Sequence, residues 1–381
     1  MKAVVCGAGI AGLSLAHELA TRGDEVVLLE RSPGPREQGY MMDFFGPGYD
    51  AAEQMGVLPA ILDVSYDIDE ASFVDSHGRS RARLPYDRFR RAVGGRLCSL
   101  MRPDLEQVLR EALPSSVEVR FGAEVTDCVD RGPDVEVRTS DGAVLSADVL
   151  VGADGIHSRV RRFTFGADSD ALRYLGFHTA AFVFDDARIR AACAGRFALT
   201  DTIGRQMGFY ALRDGRVAAF GVHRTPDPGL PDDTRTAVRE AYRSLEGVVP
   251  EALAQCPPSE EIYYDQVAQV VMPAWSAGRI ALVGDACHAV SLLAGQGASL
   301  AVAGARVLAA QLHSGVPIAP ALAAYERQWR PVAEDRQASG RATARWFLPR
   351  THAELWVRRA ALRMSGLPLV NRALGAFLSG R

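Results

Sequence analysis

An α/β fold is predicted, with a Rossmann-like nucleotide-binding domain, an inserted β-sheet unit and helices toward the C-terminal end. Three observations carry it. The first 30 residues read strand, glycine-rich turn, helix, turn and strand. A second strand and turn at 148–161 and a Gly-rich helix start at 284–301 repeat that punctuation. Between them lie alternating apolar runs of strand type at 172–185, 196–212 and 216–224. A length of 381 residues exceeds one ordinary core, so two domains, or one with an insertion, are expected.

The composition, 48% hydrophobic and 23% charged, is that of a soluble globular chain. A net charge of -3 offers no basic field for nucleic acid. Lysine occurs once, at Lys2, so nearly all 43 basic residues are arginine and arginine clusters carry little information. The six cysteines show no C-x-x-C pair and no zinc spacing, which reads as reduced thiols in a cytoplasm. The first apolar run has a Gly-rich turn inside it, unlike an export signal. No run reaches the ~18 apolar residues of a membrane span.

In "KAVVCGAGIAGLSLAHELATRGDEVVLLER", Ala3 to Cys6 and Glu25 to Leu29 read as buried strands and Ala11 to Thr21 as a helix ended by Gly23. Gly7, Gly9 and Gly12 fit G-x-G-x-x-G. The first permits the turn, the second lets backbone approach a diphosphate, and the third packs helix on strand. Free N–H groups and the positive helix end then face the diphosphate. Glu30, about 20 residues on, is placed to accept from ribose hydroxyls. This motif establishes a dinucleotide without choosing NAD or FAD.

Two later stretches choose. "DGIHSRVR", from Asp154, resembles the D-G-x-x-S-x-V-R signature of the single-component FAD-dependent aromatic hydroxylases, the p-hydroxybenzoate hydroxylase-like monooxygenases. "GDACHAVSLLAGQG", from Gly284, is similar to their G-D-A-A-H-x-x-x-P-x-x-G-x-G signature, and the motifs occur in family order. The resemblance implies a glutathione-reductase-type (GR2) FAD-binding domain over 1–70, 96–168 and 268–330, a substrate-binding β-sheet domain over 71–95 and 169–267, and a C-terminal helical segment over 331–381. It places Gly7, Gly9, Ala11, Gly12, Glu30 and Arg31 on the ADP half of FAD. Arg102, in "LMRPDLEQVL", would reach the phosphate and ribityl region, with Pro103 suited to a first helical turn. Asp154 would sit near the diphosphate and Asp285 on the ribityl chain. Gly295, Gly297 and Ala298 would lie at a helix start aimed at the pyrimidine end of the flavin, where reduced flavin gathers negative charge. A nicotinamide cofactor has no ribityl chain, so this motif favours FAD. His288 reads as a structural histidine, because no second ligand lies at metal spacing.

Two positions depart from the signature: Leu292 stands for proline and Ala294 for glycine. Leucine there restores an N–H and adds bulk beside the flavin. The hairpin-like "EASFVDSHGRSRARL" and the alternating runs match the sheet that lies over the flavin in that family. His178, Phe182, Met207, Phe209, Tyr210, Phe220 and His223, with Leu292, are candidate lining residues, ordinary sheet packing being the alternative at each. The aromatic set favours a bulky apolar or aromatic substrate. Further helices are expected near 234–245 and 319–346, and the arginine-rich tail from Thr351 reads as a helix packed across the domains, split at Gly366-Leu367-Pro368, or as a membrane-surface helix.

The implied reaction is NAD(P)H-dependent oxygen insertion from O2 through a C4a-hydroperoxyflavin, with FAD bound and NADPH or NADH visiting transiently. An FAD-dependent oxidase or reductase is the alternative that Leu292 motivates, and a non-catalytic dinucleotide-binding protein is a third. Monomer and dimer stay equally open.

Overall fold

The computed structural model describes residues 1–364 apart from 37, 76 and 167–170. Strand Lys2–Cys6 lies inside a six-stranded sheet, parallel to Val149–Gly152 on one side and Glu25–Glu30 on the other. Ile280–Leu282 and Glu118–Phe121 extend it in parallel, and Ser276–Ala277 adds an antiparallel edge. A parallel sheet is buried on both faces, which is why its strands read as unbroken apolar runs: Val4, Val5, Leu150 and Val151 are all fully buried. Helices Ile10–Ala20 and Gly297–Leu312 pack against each other. Because the strands run the same way, the turns after Cys6, Glu30, Gly152 and Leu282 gather along one edge.

A second, seven-stranded sheet runs in the order Tyr263–Val270, Leu172–Phe184, Val217–Arg224, Arg205–Ala211, Arg196–Thr200, Glu70–Val74, Ser80–Pro85. The alternating runs and the hairpin read from the sequence all enter it. One face is covered by helices Ala187–Ala192, Thr234–Tyr242 and Val249–Ala254, with Phe184, Phe209, Val238, Tyr242 and Leu253 in a shared core. The other face meets a short antiparallel ladder, Met41–Phe45 against Leu97–Met101, and the segment around Leu293. A small antiparallel sheet of Val125–Asp130, Val135–Thr139 and Val144–Ala147 packs into the same core as the first sheet.

Helix Ile318–Phe347 runs through residue 331 with Pro331 inside it, so the boundary expected there falls within one continuous helix. The following helix, His352–Met364, docks on the second sheet: Arg358 and Arg359 donate to Asp201 at 2.8 and 2.5 Å, and Arg358 lies 4.7 Å over the Phe73 ring. The described part of the tail thus packs on the second sheet, where a helix lying across both domains was expected; the break expected at Gly366 lies outside the described residues. Among the described residues no helix is long and apolar enough to cross a membrane.

Candidate functional site

The site begins where the first strand ends. Gly7 has a φ of +108°, and a Cβ there would lie 2.5 Å from the Ala153 carbonyl oxygen. A Cβ on Gly12 would lie 1.9 Å from the Gly7 oxygen, so helix and turn are in backbone contact. The helix starts from Gly9 without a side-chain cap, which leaves its first N–H groups available to an anion. Glu30 closes the turn: its oxygens accept from the N–H of Ala8 and of Ser32, both at 2.9 Å.

From this turn a cleft of about 450 Å³ runs toward the second sheet. Gly7, Gly9, Glu30, Arg31, Arg102, Asp154 and Asp285 all line it. Arg102 opens helix Arg102–Glu111, with Pro103 in the first turn, and its guanidinium is 2.7 Å from Glu106. Asp285 opens the short helix Asp285–His288 and stays exposed to the cleft. The surrounding protein pushes its carboxyl up, and the Arg102 charge pulls it back down. A Cβ on Gly297 would lie 3.8 Å from Asp285 Oδ1, which brings the start of Gly297–Leu312 to the same end. Ala11, Gly12, Gly295, Gly297 and Ala298 lie outside the lining. Ala11 and Gly12 shape the cleft from behind, since a Cβ on Gly284 would meet the Ala11 methyl at 2.7 Å.

Asp154 has a second task. Its carboxylate accepts from Ser158 Oγ at 2.5 Å and from the N–H of Arg159 at 2.7 Å, while Ser158 Oγ accepts from Arg161 N–H at 3.0 Å. The pair caps helix Arg159–Phe165. Arg161, almost wholly buried, donates to the carbonyls of Ile156 and Ala286 at 2.6 and 2.9 Å, tying the second motif to the third. His288 is enclosed beside the Trp275 ring at 5.2 Å, and burial lowers its pKa to about 4.

Sequence reasoning missed Tyr40, Glu106, His157, Tyr263 and Asp265, all of which line the cleft. The rings of Tyr40 and Tyr263 stand 5.3 Å apart, and Tyr40 is 5.7 Å from Phe220. Burial pushes both phenols above their ordinary range. His157 Nε2 lies 3.1 Å from Asp265 Oδ1, joining "DGIHSRVR" to the second sheet. The one available signal was "YYDQVAQV", whose alternation is weak.

The substrate-lining set needs correction. Phe182, Met207 and Phe209 belong to the core under the covering helices. His178 and His223 share that face: their Nδ1 atoms lie 3.0 Å from Tyr264 OH and 3.1 Å from Tyr242 OH. Side chains alternate along a strand, so these residues point away from the ladder. Tyr210 and Phe220 point toward it, packed with Met41 and Met101. Leu292 packs with Phe177, Phe220, Val222 and Leu293. Just before it, Ser291 has a φ of +84°, in the left-handed region, where a side chain is strained.

Arg102→Ala is expected to weaken FAD binding by ~10–100-fold, the loss of one charge-assisted contact. Titration of apoprotein with FAD, read by flavin fluorescence, checks it; unchanged affinity makes Arg102 a plain helix-start arginine.

A family model described as FAD binding domain matches residues 1–338. An uncharacterized protein of Mycobacterium tuberculosis, Rv1260, is 34% identical over 320 residues, covering 82% of this chain and 84% of that protein. A flavin-dependent monooxygenase of Legionella longbeachae is 29% identical over 321 residues, covering 82% and 80%. The crystal structure of the tetracycline destructase Tet(51) superposes with a TM-score of 0.83 at 26% identity, covering 97% of each chain. A Gly-rich turn, an acid at the second strand end, and Arg102 facing Asp285 along one cleft agree with these likenesses. The chain belongs to the FAD binding domain family of flavin-dependent monooxygenases.

Proposed function

We propose that the enzyme uses NADH or NADPH and O2 to place one oxygen atom into an aromatic or polyketide-like small molecule. The observation that carries this reading is one cleft joining a diphosphate turn to Arg102 and Asp285 and on to the aromatic wall of the second sheet. The cleft fits FAD on its donor set. Gly9 leaves backbone open, with only Glu106 and Arg102 side chains 3.5 and 3.8 Å from a Cβ there. Glu30 suits ribose hydroxyls, Arg102 a phosphate, and Asp285 a ribityl hydroxyl. When bound, FAD supplies the redox chemistry with nicotinamide and O2.

The chain's own part is placement and exclusion of water. The start of Gly297–Leu312 favours negative charge at the flavin end. Tyr40, Tyr263 and Phe220 wall that end with aromatic surface. Leu292 and Phe220 keep the adjoining space apolar, which favours a bulky ring over a small polar substrate. On this reading residues 1–70, 96–168 and 268–330 hold FAD, and 71–95 with 169–267 hold the substrate. No second G-x-G-x-x-G stretch serves a resident nicotinamide.

Anaerobic NADH or NADPH is expected to bleach the bound flavin faster when substrate is present. Labelled oxygen from O2 is then expected in the product on admitting air. Bleaching with no label in product would make the protein an oxidase or reductase, the reading that Leu292 and the strained Ser291 favour. No bleaching with either nicotinamide sinks the monooxygenase reading.

A further inference from the structure

The short ladder sets Asp43 directly opposite Ser99. Alternation puts both on the face that carries Met41 and Met101, and those methionines pack against Tyr210, Ala218 and Phe220 of the second sheet. Asp43 Oδ1 accepts from Ser99 Oγ at 2.6 Å, and Oδ2 accepts from Tyr86 OH at 3.1 Å. Burial pushes this carboxyl up, the two hydroxyls pull it down, and no basic side chain offsets the burial. Asp43 and Tyr86 nevertheless keep part of their surface accessible, as Asp285 does in the FAD cleft. They are deep without being packed over. The FAD cleft does not include them.

The ladder also fixes how far this carboxylate stands from the cleft. Arg102 N–H donates to the Tyr40 carbonyl at 3.0 Å, so the Met41/Met101 end abuts the cleft. Asp43 lies three residues beyond the cleft-lining Tyr40, about 10 Å at ~3.4 Å per residue, a span that a fused ring system and its substituent can cover. We propose that Asp43, steadied by Tyr86 and Ser99, is a specificity-determining residue: it accepts a hydrogen bond from a neutral hydroxyl or amino group of the substrate, so the site takes hydroxylated aromatic rings and turns away arenecarboxylates. Each carboxylate oxygen has a lone pair left after accepting its one bond. A carboxylate ligand on Asp43 would meet a like charge that no basic side chain among the described residues offsets there. Calling the ligand a substrate rests on the monooxygenase reading; the binding preference does not.

The test titrates FAD-loaded enzyme with 2-naphthol, 2-methoxynaphthalene and 2-naphthoate, read by perturbation of the flavin spectrum and by calorimetry. The parent is expected to bind 2-naphthol ~10–100-fold tighter than its methyl ether and 2-naphthoate most weakly. Asp43→Asn keeps one acceptor oxygen, for Ser99 or Tyr86, while the other hydroxyl turns to accept from the amide NH2, and it is expected to narrow the naphthol preference to about threefold while improving 2-naphthoate. Tyr86→Phe leaves the charge and is expected to keep the order. An Asp43→Asn protein with parental FAD content and melting that still prefers naphthol overturns the proposal. So does a parent that binds all three alike, or none. If Asp43→Asn loses FAD, the order naphthol, ether, naphthoate on the parent and on Tyr86→Phe decides. Whether naphthol speeds NAD(P)H oxidation tests the activity reading separately.

Discussion

Gly12→Ala is expected to give colourless protein. The added methyl would stand 1.9 Å from the Gly7 oxygen, 3.1 Å from its carbonyl carbon and 3.3 Å from the Ala153 Cβ. The first two are backbone of the turn itself, so no rotamer change relieves the contact. Either the helix lifts from the strand or the Gly7 turn reshapes, and both move the N–H groups that face the diphosphate. Overpacking of this kind costs roughly 1–3 kcal/mol in a core, and here it falls on the cofactor cradle. FAD affinity should drop by at least ~10-fold, measured as flavin absorbance retained after desalting and as Kd on reconstitution. Gly23→Asn is the control, since a Cβ at Gly23 meets nothing within 4 Å despite its φ of +89°. A yellow Gly12→Ala protein with parental affinity would show that the helix start is not held by this contact.

Asp201→Ala is expected to have the largest effect on stability. Its side chain is fully buried between Arg358, 6% exposed, and Arg359, 30% exposed. Removing the carboxylate takes away the charge that balances two guanidinium groups, one of them almost wholly buried, which costs about 3–5 kcal/mol. Because the attachment is local, the loss should first free helix His352–Met364 from the sheet. Hydrogen exchange should then accelerate across that helix while strands Lys2–Cys6 and Val149–Gly152 keep their protection. Asp201→Leu combined with Arg358→Leu should recover most of the loss, since it removes both buried charges. A drop below ~1 kcal/mol would rank the cluster with ordinary surface pairs.

The nucleotide half was legible because its requirements are local. Gly7, Gly12 and Glu30 answer to one turn, one crossing and one strand end, all within 30 residues. Asp285 and Arg102 were legible only through the resemblance, since their proximity is set by the sheet edge. Which face of the second sheet looks toward the cleft was not legible, and the reason is geometric. Alternation tells which residues share a face; it does not tell which face looks at the cofactor. His178 and Phe182 share a face of one strand, and Met207 and Phe209 share a face of another; helices cover both. Tyr210 and Phe220 differ from these in parity, not in character. Tyr40 and Tyr263 escaped because the first belongs to no strand and the second starts a weakly alternating one, and only the fold brings them within 5.3 Å.

The order of strands in the first sheet also dictates when the protein can acquire its coenzyme. Residues 2–6 pair with 149–152, and these in turn with 280–282. A nascent chain on the ribosome therefore cannot complete the sheet edge until residue 282 has been made. Pairing across such separations is slow, and the early strands wait with apolar edges open. Coenzyme capture comes after that closure and then holds it shut by mass action. In a cell short of riboflavin, the first deficit of this protein is expected in yield rather than in turnover.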